Sequence, residues 1–193
     1  MNIAERMICA IDDAKSNKLL SALQHACASL DGTGAKLYPE LGVRDRFIKT
    51  FEQYIWIIEP MFAVGIDLKE TIFKWNGLKK REPKFSEILY EIFRCNLAHG
   101  TELPTGYKLE FRKSQEYRTI EIGKDTLIIP DTIIFALLAV ALFSKANFDQ
   151  KMNKDYFLSC GTMIFTIDEW WGRETDAKIC FSTVKLPKVK IEF

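Results

Sequence analysis

The chain has 193 residues, of which 48% are hydrophobic and 12% aromatic, and it carries a formal net charge of +1. This length and composition predict that residues 1–193 form a single domain with one substantial core. The near-neutral charge excludes a protein that attracts polyanions through a global excess of positive charge, so any nucleic-acid site must be local.

Apolar residues at helical spacing predict helices over residues 3–14 and 16–30. Two glycines flanking Thr33 predict a turn at residues 31–34. A second apolar stripe over residues 44–60 predicts a helix that Pro60 kinks or breaks, with weaker helix continuing to Trp75.

The next helix is predicted over residues 83–99. Pro83 suits a first helical turn, and Gly100 suits a left-handed C-cap. At about 100° per residue, Arg94 lies about 180° from the centre of the apolar stripe and points away from the core, whereas His99 lies about 40° from that centre. The two side chains therefore diverge by about 140° within one chain, and a second copy across a two-fold axis would complete a compact pair.

Beyond residue 100 the apolar period changes from helical to alternating. Residues 107–112, 119–122 and 126–129 predict three strands of a small antiparallel meander. A buried helix capped by Asp131 is predicted over residues 133–143, followed by a final helical region from about residue 155 toward Trp170 or beyond. Alternation over residues 188–193 predicts a terminal edge strand.

Arg94 and His99 are the residues with the clearest chemical potential. A guanidinium binds phosphate through two parallel hydrogen bonds, and an imidazole titrates near neutral pH. The alternative from residue types alone is that Arg94 is a solvated surface charge and that His99 caps the last helical turn.

The segment that carries both residues, residues 89–100, resembles the signature of HEPN domains, in which His follows Arg by four to six residues near a helix end. Residues 26–39 also resemble uncharacterised bacterial members of that group. Cys95 stands where the commoner form has a polar residue, often Asn, and Asn96 comes one position later. The resemblance implies a mainly α, HEPN-like helical bundle that forms a homodimer through this helix. Many members cleave RNA without metal, in toxin or phage-defence systems.

In such a ribonuclease, His99 would take the proton from an RNA 2′-hydroxyl as general base. Arg94 would hold the scissile phosphate and stabilise its charge, and Asn96 would orient these groups. The resemblance implies no cofactor, and it allows a cognate antitoxin as a partner. The alternative is a non-catalytic module for dimerisation, nucleotide binding or protein interaction.

Basic clusters supply candidate RNA contacts, although a charged run is commonly only a solvated face. The predicted RNA-binding residues are Lys79, Lys80, Arg81, Arg112 and Lys113. Arg44 and Arg46 form a further basic pair.

The remaining expectations concern location and metal binding. Five cysteines at scattered positions and two histidines provide no metal-type spacing, so we expect reduced thiols and no metal site. Acidic residues interrupt the N-terminal apolar stretch, which predicts no export signal. The longest apolar run has eleven residues, short of the roughly 20 that span a bilayer. We therefore expect a cytoplasmic protein without a membrane anchor.

Overall fold

The computed structural model describes residues 1–73, 82–111, 120–123 and 126–184. The N-terminal half contains helices α1 (Ile3–Lys15), α2 (Leu19–Leu37), α3 (Val43–Gln53) and α4 (Ile55–Phe62). Helix α5 joins three successive segments, Phe85–Ile88, Leu89–Arg94 and Cys95–His99. It is followed by β1 (Tyr107–Glu110), β2 (Glu121–Ile122), β3 (Leu127–Pro130) and α6 (Thr132–Phe143). The last described elements are β4 (Phe157–Cys160), β5 (Met163–Thr166), α7 (Ile167–Trp170) and α8 (Glu174–Ser182).

The fold is mainly α, as the sequence predicts, and it contains two small sheets, of which the sequence predicts only the one that follows α5. Helix α6 lies at its centre and packs against both α2 and α4. Every residue from Ala136 to Phe143 is completely buried, which explains why this helix has no polar face. Among the described helices, none is both long and apolar enough to span a bilayer.

Helix α2 continues through residues 31–34, so the predicted turn at that position is wrong. A Cβ atom on Gly34 would lie 2.7 Å from the Thr50 hydroxyl oxygen and 3.1 Å from the carbonyl oxygen of Arg46. The glycine therefore allows α3 to pack closely against α2. Tertiary packing overrides the low helix propensity of glycine here, and it places Asp31 inside a helix.

The second apolar stripe divides at Tyr54, where α3 ends and α4 begins, and Pro60 lies within α4. The Tyr54 hydroxyl is hydrogen-bonded to Ser144 and to Glu174, at 2.9 and 2.7 Å. Residues 63–73 are not helical, so the predicted continuation of the helix is wrong over that range. Trp75 lies outside the described residues.

The three predicted strands after α5 are present, but they do not form an antiparallel meander. The strand order is β1-β3-β2, with β1 parallel to β3 and β2 antiparallel to β3. The central strand, β3, buries Leu127 and Ile129 almost completely. The most apolar strand, β3, is thus the central strand of the sheet. In a meander of sequential hairpins the central strand would be β2.

The final helix predicted from residue 155 is also wrong in its first part, where β4 and β5 form an antiparallel hairpin. Gly161 has a φ of 59° in the turn between them. Leu158, Cys160 and Phe165 face inward. Buried and exposed residues alternate over only four positions in each strand. So short an alternation cannot be distinguished from a helical pattern unless the turn at Gly161 is recognised. The predicted edge strand at residues 188–193 lies outside the described residues.

We expect Gly34→Ala to lower the free energy of unfolding by about 1–3 kcal/mol, because the added methyl group overpacks the α2–α3 contact. The control is Gly32→Ala on the same helix, whose methyl group meets only the flexible Ile3 side chain, at 3.1 Å. Urea denaturation monitored by circular dichroism measures both variants. Equal unfolding free energies for the two variants would contradict the close approach.

Candidate anion-binding cleft

Helix α5 carries the Arg94–His99 motif, and its middle segment is a π-helix. This segment, Leu89–Arg94, lies between two α-helical segments, and the amide of Cys95 donates to the carbonyl of Tyr90, five residues earlier. Gly100 ends the helix with a φ of 68°, which confirms the predicted left-handed C-cap. The helix begins at Phe85, two residues later than predicted, and the Glu87 carboxylate accepts a hydrogen bond from the Lys84 amide at 2.9 Å.

The π segment corrects the predicted directions of Arg94 and His99. A π turn holds one residue more than an α turn, so residues after it lag by about 100° relative to an uninterrupted α-helix. Leu97, which α-helical spacing puts about 120° from the stripe centre, is buried instead. Arg94 is turned toward the protein, with only 20% of its side chain exposed. His99 is turned outward and is exposed.

The Arg94 guanidinium is held by a carboxylate on α2. Its Nε and Nη2 atoms donate to Oδ2 of Asp31, at 2.9 and 2.8 Å. The same guanidinium lies 5.3 Å from the centre of the Tyr90 ring, one helical turn earlier. Arg94 is thus fixed by an ion pair on one side and an aromatic ring on another.

This ion pair lies at a cleft with a volume of about 550 Å³. Four helices each contribute a charged side chain to its lining: Arg6 from α1, Asp31 from α2, Arg46 from α3 and Arg94 from α5. We call these four residues the arginine cluster. Lys36 also lines the cleft and pairs with Asp149, at 3.0 Å. The cleft therefore concentrates positive charge in a chain whose overall charge is almost zero.

The buried position of the cluster changes its titration. Burial raises the pKa of Asp31 above its ordinary value, while the charges of Arg94, Arg46 and Arg6 oppose that rise. Burial lowers the pKa of Arg94, but its hydrogen bonds to Asp31 and the charge interactions with Asp31, Tyr90 and Cys95 together outweigh burial, so the net pKa is raised. Burial also raises the pKa of the Cys27 thiol in the cleft wall, so this cysteine stays protonated.

Two buried polar atoms of the cluster have no hydrogen-bond partner among the described residues. These are Nε of Arg46, which is a donor, and Oδ1 of Asp31, which is an acceptor. Buried polar groups in proteins are nearly always paired, so each unpaired atom calls for a partner from outside the described chain. The arginine cluster thus contains one unused donor and one unused acceptor, both buried, beside its positive charges.

The structure does not bring the three predicted catalytic residues together at the cleft. Arg94 lines it, and so does Ala98, but His99 is not among the described lining residues. The Asn96 amide donates to the carbonyl of Ile92 at 2.7 Å, and its side-chain oxygen accepts from Thr101 at 3.0 Å. These contacts hold Asn96 at the end of α5, and its orienting role stays a prediction.

The predicted RNA-binding residues Lys79, Lys80, Arg81, Arg112 and Lys113 all lie outside the described residues. Arg44 faces α5 and pairs with Glu87 and Glu91, at 3.3 and 3.0 Å, away from the cleft. Within the described part of the chain, no three His, Cys, Asp or Glu side chains group as ligands for a metal ion.

Sequence reasoning did not identify Arg6 and Asp31 as site residues. Arg6 is a single charge on an amphipathic helix, and the glycines that follow Asp31 predict a turn there. A signal for Asp31 exists if the α2 pattern is extended across the glycines. Asp31 then follows Cys27 by one helical turn and lies on the same face of the helix.

The sequence matches the model of the Rv1289 protein family over residues 2–193. The chain belongs to the Rv1289 family. Its relatives include Uncharacterized protein Rv1289 of Mycobacterium tuberculosis and Uncharacterized protein Mb1320 of Mycobacterium bovis. Each is 30% identical to this chain over 178 residues, which cover 89% of this chain and 84% of the relative. No solved structure matches the chain, and the HEPN-like assignment stays a prediction.

In this Rv1289 family member, Asp31→Asn is expected to lower the free energy of unfolding by about 1–3 kcal/mol, because three guanidinium groups lose the carboxylate that compensates them. Asp149→Asn is the matched control, since it removes a carboxylate from an exposed ion pair and should leave the unfolding free energy unchanged. Chemical denaturation at constant ionic strength measures both. Equal losses for the two variants would contradict a structural role for the cluster.

Proposed function

We propose that the protein binds a phosphate-bearing ligand in the cleft, as a nucleotide-binding or related small-molecule module. The observation that carries this proposal is the convergence of Arg6, Arg46 and Arg94 from three helices on one cavity. Arginines on three separate helices converge only where packing brings those helices together, which distinguishes this cluster from a charged run on one exposed face.

The chemistry of the guanidinium supports phosphate as the recognised group. Its planar set of N–H donors matches the oxygens of phosphate, and it is always charged at physiological pH. Within the described chain, Arg6 and Arg46 form no ion pair, and Nε of Arg46 is unpaired. An anionic oxygen in the cleft would satisfy this donor and screen the repulsion between the arginines.

Arg46→Gln should weaken the binding of inorganic phosphate about tenfold, which corresponds to about 1.4 kcal/mol for one charge-assisted hydrogen bond. Isothermal titration calorimetry measures the dissociation constant of phosphate, with ionic strength held constant by chloride. Arg44→Gln is the control, because Arg44 lies on the same helix and pairs with Glu87 and Glu91 outside the cleft. Failure of the unaltered protein to bind phosphate, or equal weakening in both variants, would overturn the proposal.

A second candidate function is metal-independent RNA cleavage by a HEPN-like homodimer, as in toxin or phage-defence systems. The specific observation in its favour is that Ala98, at the cleft rim, is exposed beside the exposed His99. A second copy packed against this end of α5 would place its own His99 near the first copy's Arg94. The homodimer would then supply the imidazole that the cleft of one chain lacks.

In that arrangement His99 of one subunit would remove the 2′-hydroxyl proton, and Arg94 of the other would stabilise the charge on the phosphate oxygens. The attacking 2′-oxygen would form a bond to phosphorus as the bond to the 5′-oxygen breaks, and the leaving oxygen would take a proton from water, which gives a 2′,3′-cyclic phosphate and a 5′-hydroxyl. For either function we propose a cytoplasmic location, since all five cysteines are free thiols. A cognate antitoxin belongs only to this second candidate.

Incubation of the purified protein with mixed RNA in chelator tests the cleavage candidate. We expect His99→Ala to slow cleavage by at least about 100-fold, the usual contribution of a general base. Arg94→Lys should also slow it, because lysine keeps the charge but lacks the planar fork of donors. His25→Ala, on α2, is the control and should cleave normally. Absence of cleavage by the unaltered protein, or a monomer in sedimentation at the assay concentration, would remove this candidate.

A further inference from the structure

We infer that the cleft recognises a phosphate monoester whose carbon skeleton carries a hydroxyl group, as in a sugar phosphate. This inference rests on the proposed phosphate binding, and it adds the chemical class of the ligand. Size, charge and the unpaired acceptor of Asp31 each contribute a separate argument.

The size of the cleft exceeds what an isolated phosphate ion would fill. Its volume of about 550 Å³ falls within the roughly 300–1,000 Å³ that is usual for small-molecule sites. Small residues form much of the wall between the charged groups, which leaves room for a carbon skeleton. These residues are Ala28, Gly32, Ala35 and Ala98.

The charge of the arginine cluster favours a monoester over a diester. Three guanidinium groups and one carboxylate leave two positive charges at the site. A phosphate monoester carries about −1.5 to −2 charges at pH 7, whereas a phosphodiester within a nucleic-acid chain carries one negative charge per phosphate. A terminal phosphate therefore neutralises the cluster more completely than an internal one.

The carboxylate of Asp31 supplies the argument for a hydroxyl group. Its Oδ2 atom accepts both hydrogen bonds from Arg94, while Oδ1 is buried without a partner among the described residues. An unprotonated phosphate oxygen cannot satisfy Oδ1, because two anionic acceptors repel each other. A hydroxyl group on the same ligand can donate to Oδ1 while the phosphate accepts from Arg46 and Arg6. The arginine side chains have flexible stems, so they can move aside as the ligand enters.

The described residues of the same wall offer no aromatic surface for stacking a nucleobase. No aromatic side chain is present among the described lining residues, so a base would have no ring on which to stack. Three side-chain amides line the cleft. The Asn2 oxygen accepts a hydrogen bond from the Glu5 amide at the start of α1, whereas Gln24 and Gln150 are suited to further hydroxyl groups. The recognised part of a nucleotide would therefore be its sugar phosphate.

The test compares four probes by isothermal titration calorimetry: inorganic phosphate, ribose 5-phosphate, tetrahydrofurfuryl phosphate and AMP. Tetrahydrofurfuryl phosphate has the ring and phosphate of ribose 5-phosphate without its hydroxyl groups. We expect ribose 5-phosphate to bind at least about tenfold more tightly than this analogue, the effect of one hydrogen bond to a charged group. AMP should bind as tightly as ribose 5-phosphate, and a tenfold preference for AMP would overturn the sugar-phosphate assignment in favour of a nucleobase site.

Asp31→Ala tests the role of the carboxylate directly. This variant should lose the preference for ribose 5-phosphate over the analogue and should bind inorganic phosphate more tightly, because a competing negative charge is gone. Asp149→Ala should retain the preference. If Asp31→Ala fails to fold, the comparison of probes on the unaltered protein still decides the inference. Equal binding of ribose 5-phosphate and the analogue would overturn it while leaving phosphate binding intact, whereas no binding of any probe would overturn the proposed function itself.

Discussion

One carboxylate, that of Asp31, compensates three guanidinium groups that arrive from three other helices. Without it, Arg6, Arg46 and Arg94 would repel one another in a partly buried cleft, where such repulsion is only weakly screened. Asp31 can serve in this way only because α2 remains helical past its glycines. This compensation also requires that α3 approach α2 closely enough to bring Arg46 to the same cavity. The absence of a side chain on Gly34 permits that approach.

The compensation is incomplete, and this is what makes the cluster a candidate binding site rather than only a structural ion pair. Arg94 donates two hydrogen bonds to Asp31 and lies against Tyr90. Arg46 retains a buried donor without a partner. A cluster selected for stability alone would be expected to satisfy each such atom, since buried unpaired polar groups reduce stability. The remaining positive charge and the volume of the cleft are consistent with a ligand that completes the set.

The strongly periodic parts of the sequence allowed the fold class to be predicted. Helices α1, α3 and α6 follow their apolar patterns, and the change from helical to alternating period correctly marks the strands after α5. The errors arise where a local signal is weaker than long-range packing. Gly34 favours a turn by itself but serves a helix contact, and the burial of β3 determines a strand order that sequence adjacency does not contain.

The site was less predictable than the fold. Arg94 was identified from its residue type and its spacing to His99, but the predicted directions of both side chains assumed a regular α-helix. Nothing in the residues of the π segment distinguishes it from α-helix. Arg6 and Asp31 were missed because each is an ordinary charged residue until the four helices are assembled.

The π segment of α5 also affects how this chain should be compared with others. By the number of residues between Arg94 and His99, α5 is equivalent to any helix in which Arg and His have the same spacing. Superposition on a regular helix, however, would match backbones on one side of the segment and place side chains one position out of register on the other. Equivalence of these residues between proteins must therefore be judged from superposed coordinates of the helix end, rather than from the number of intervening letters.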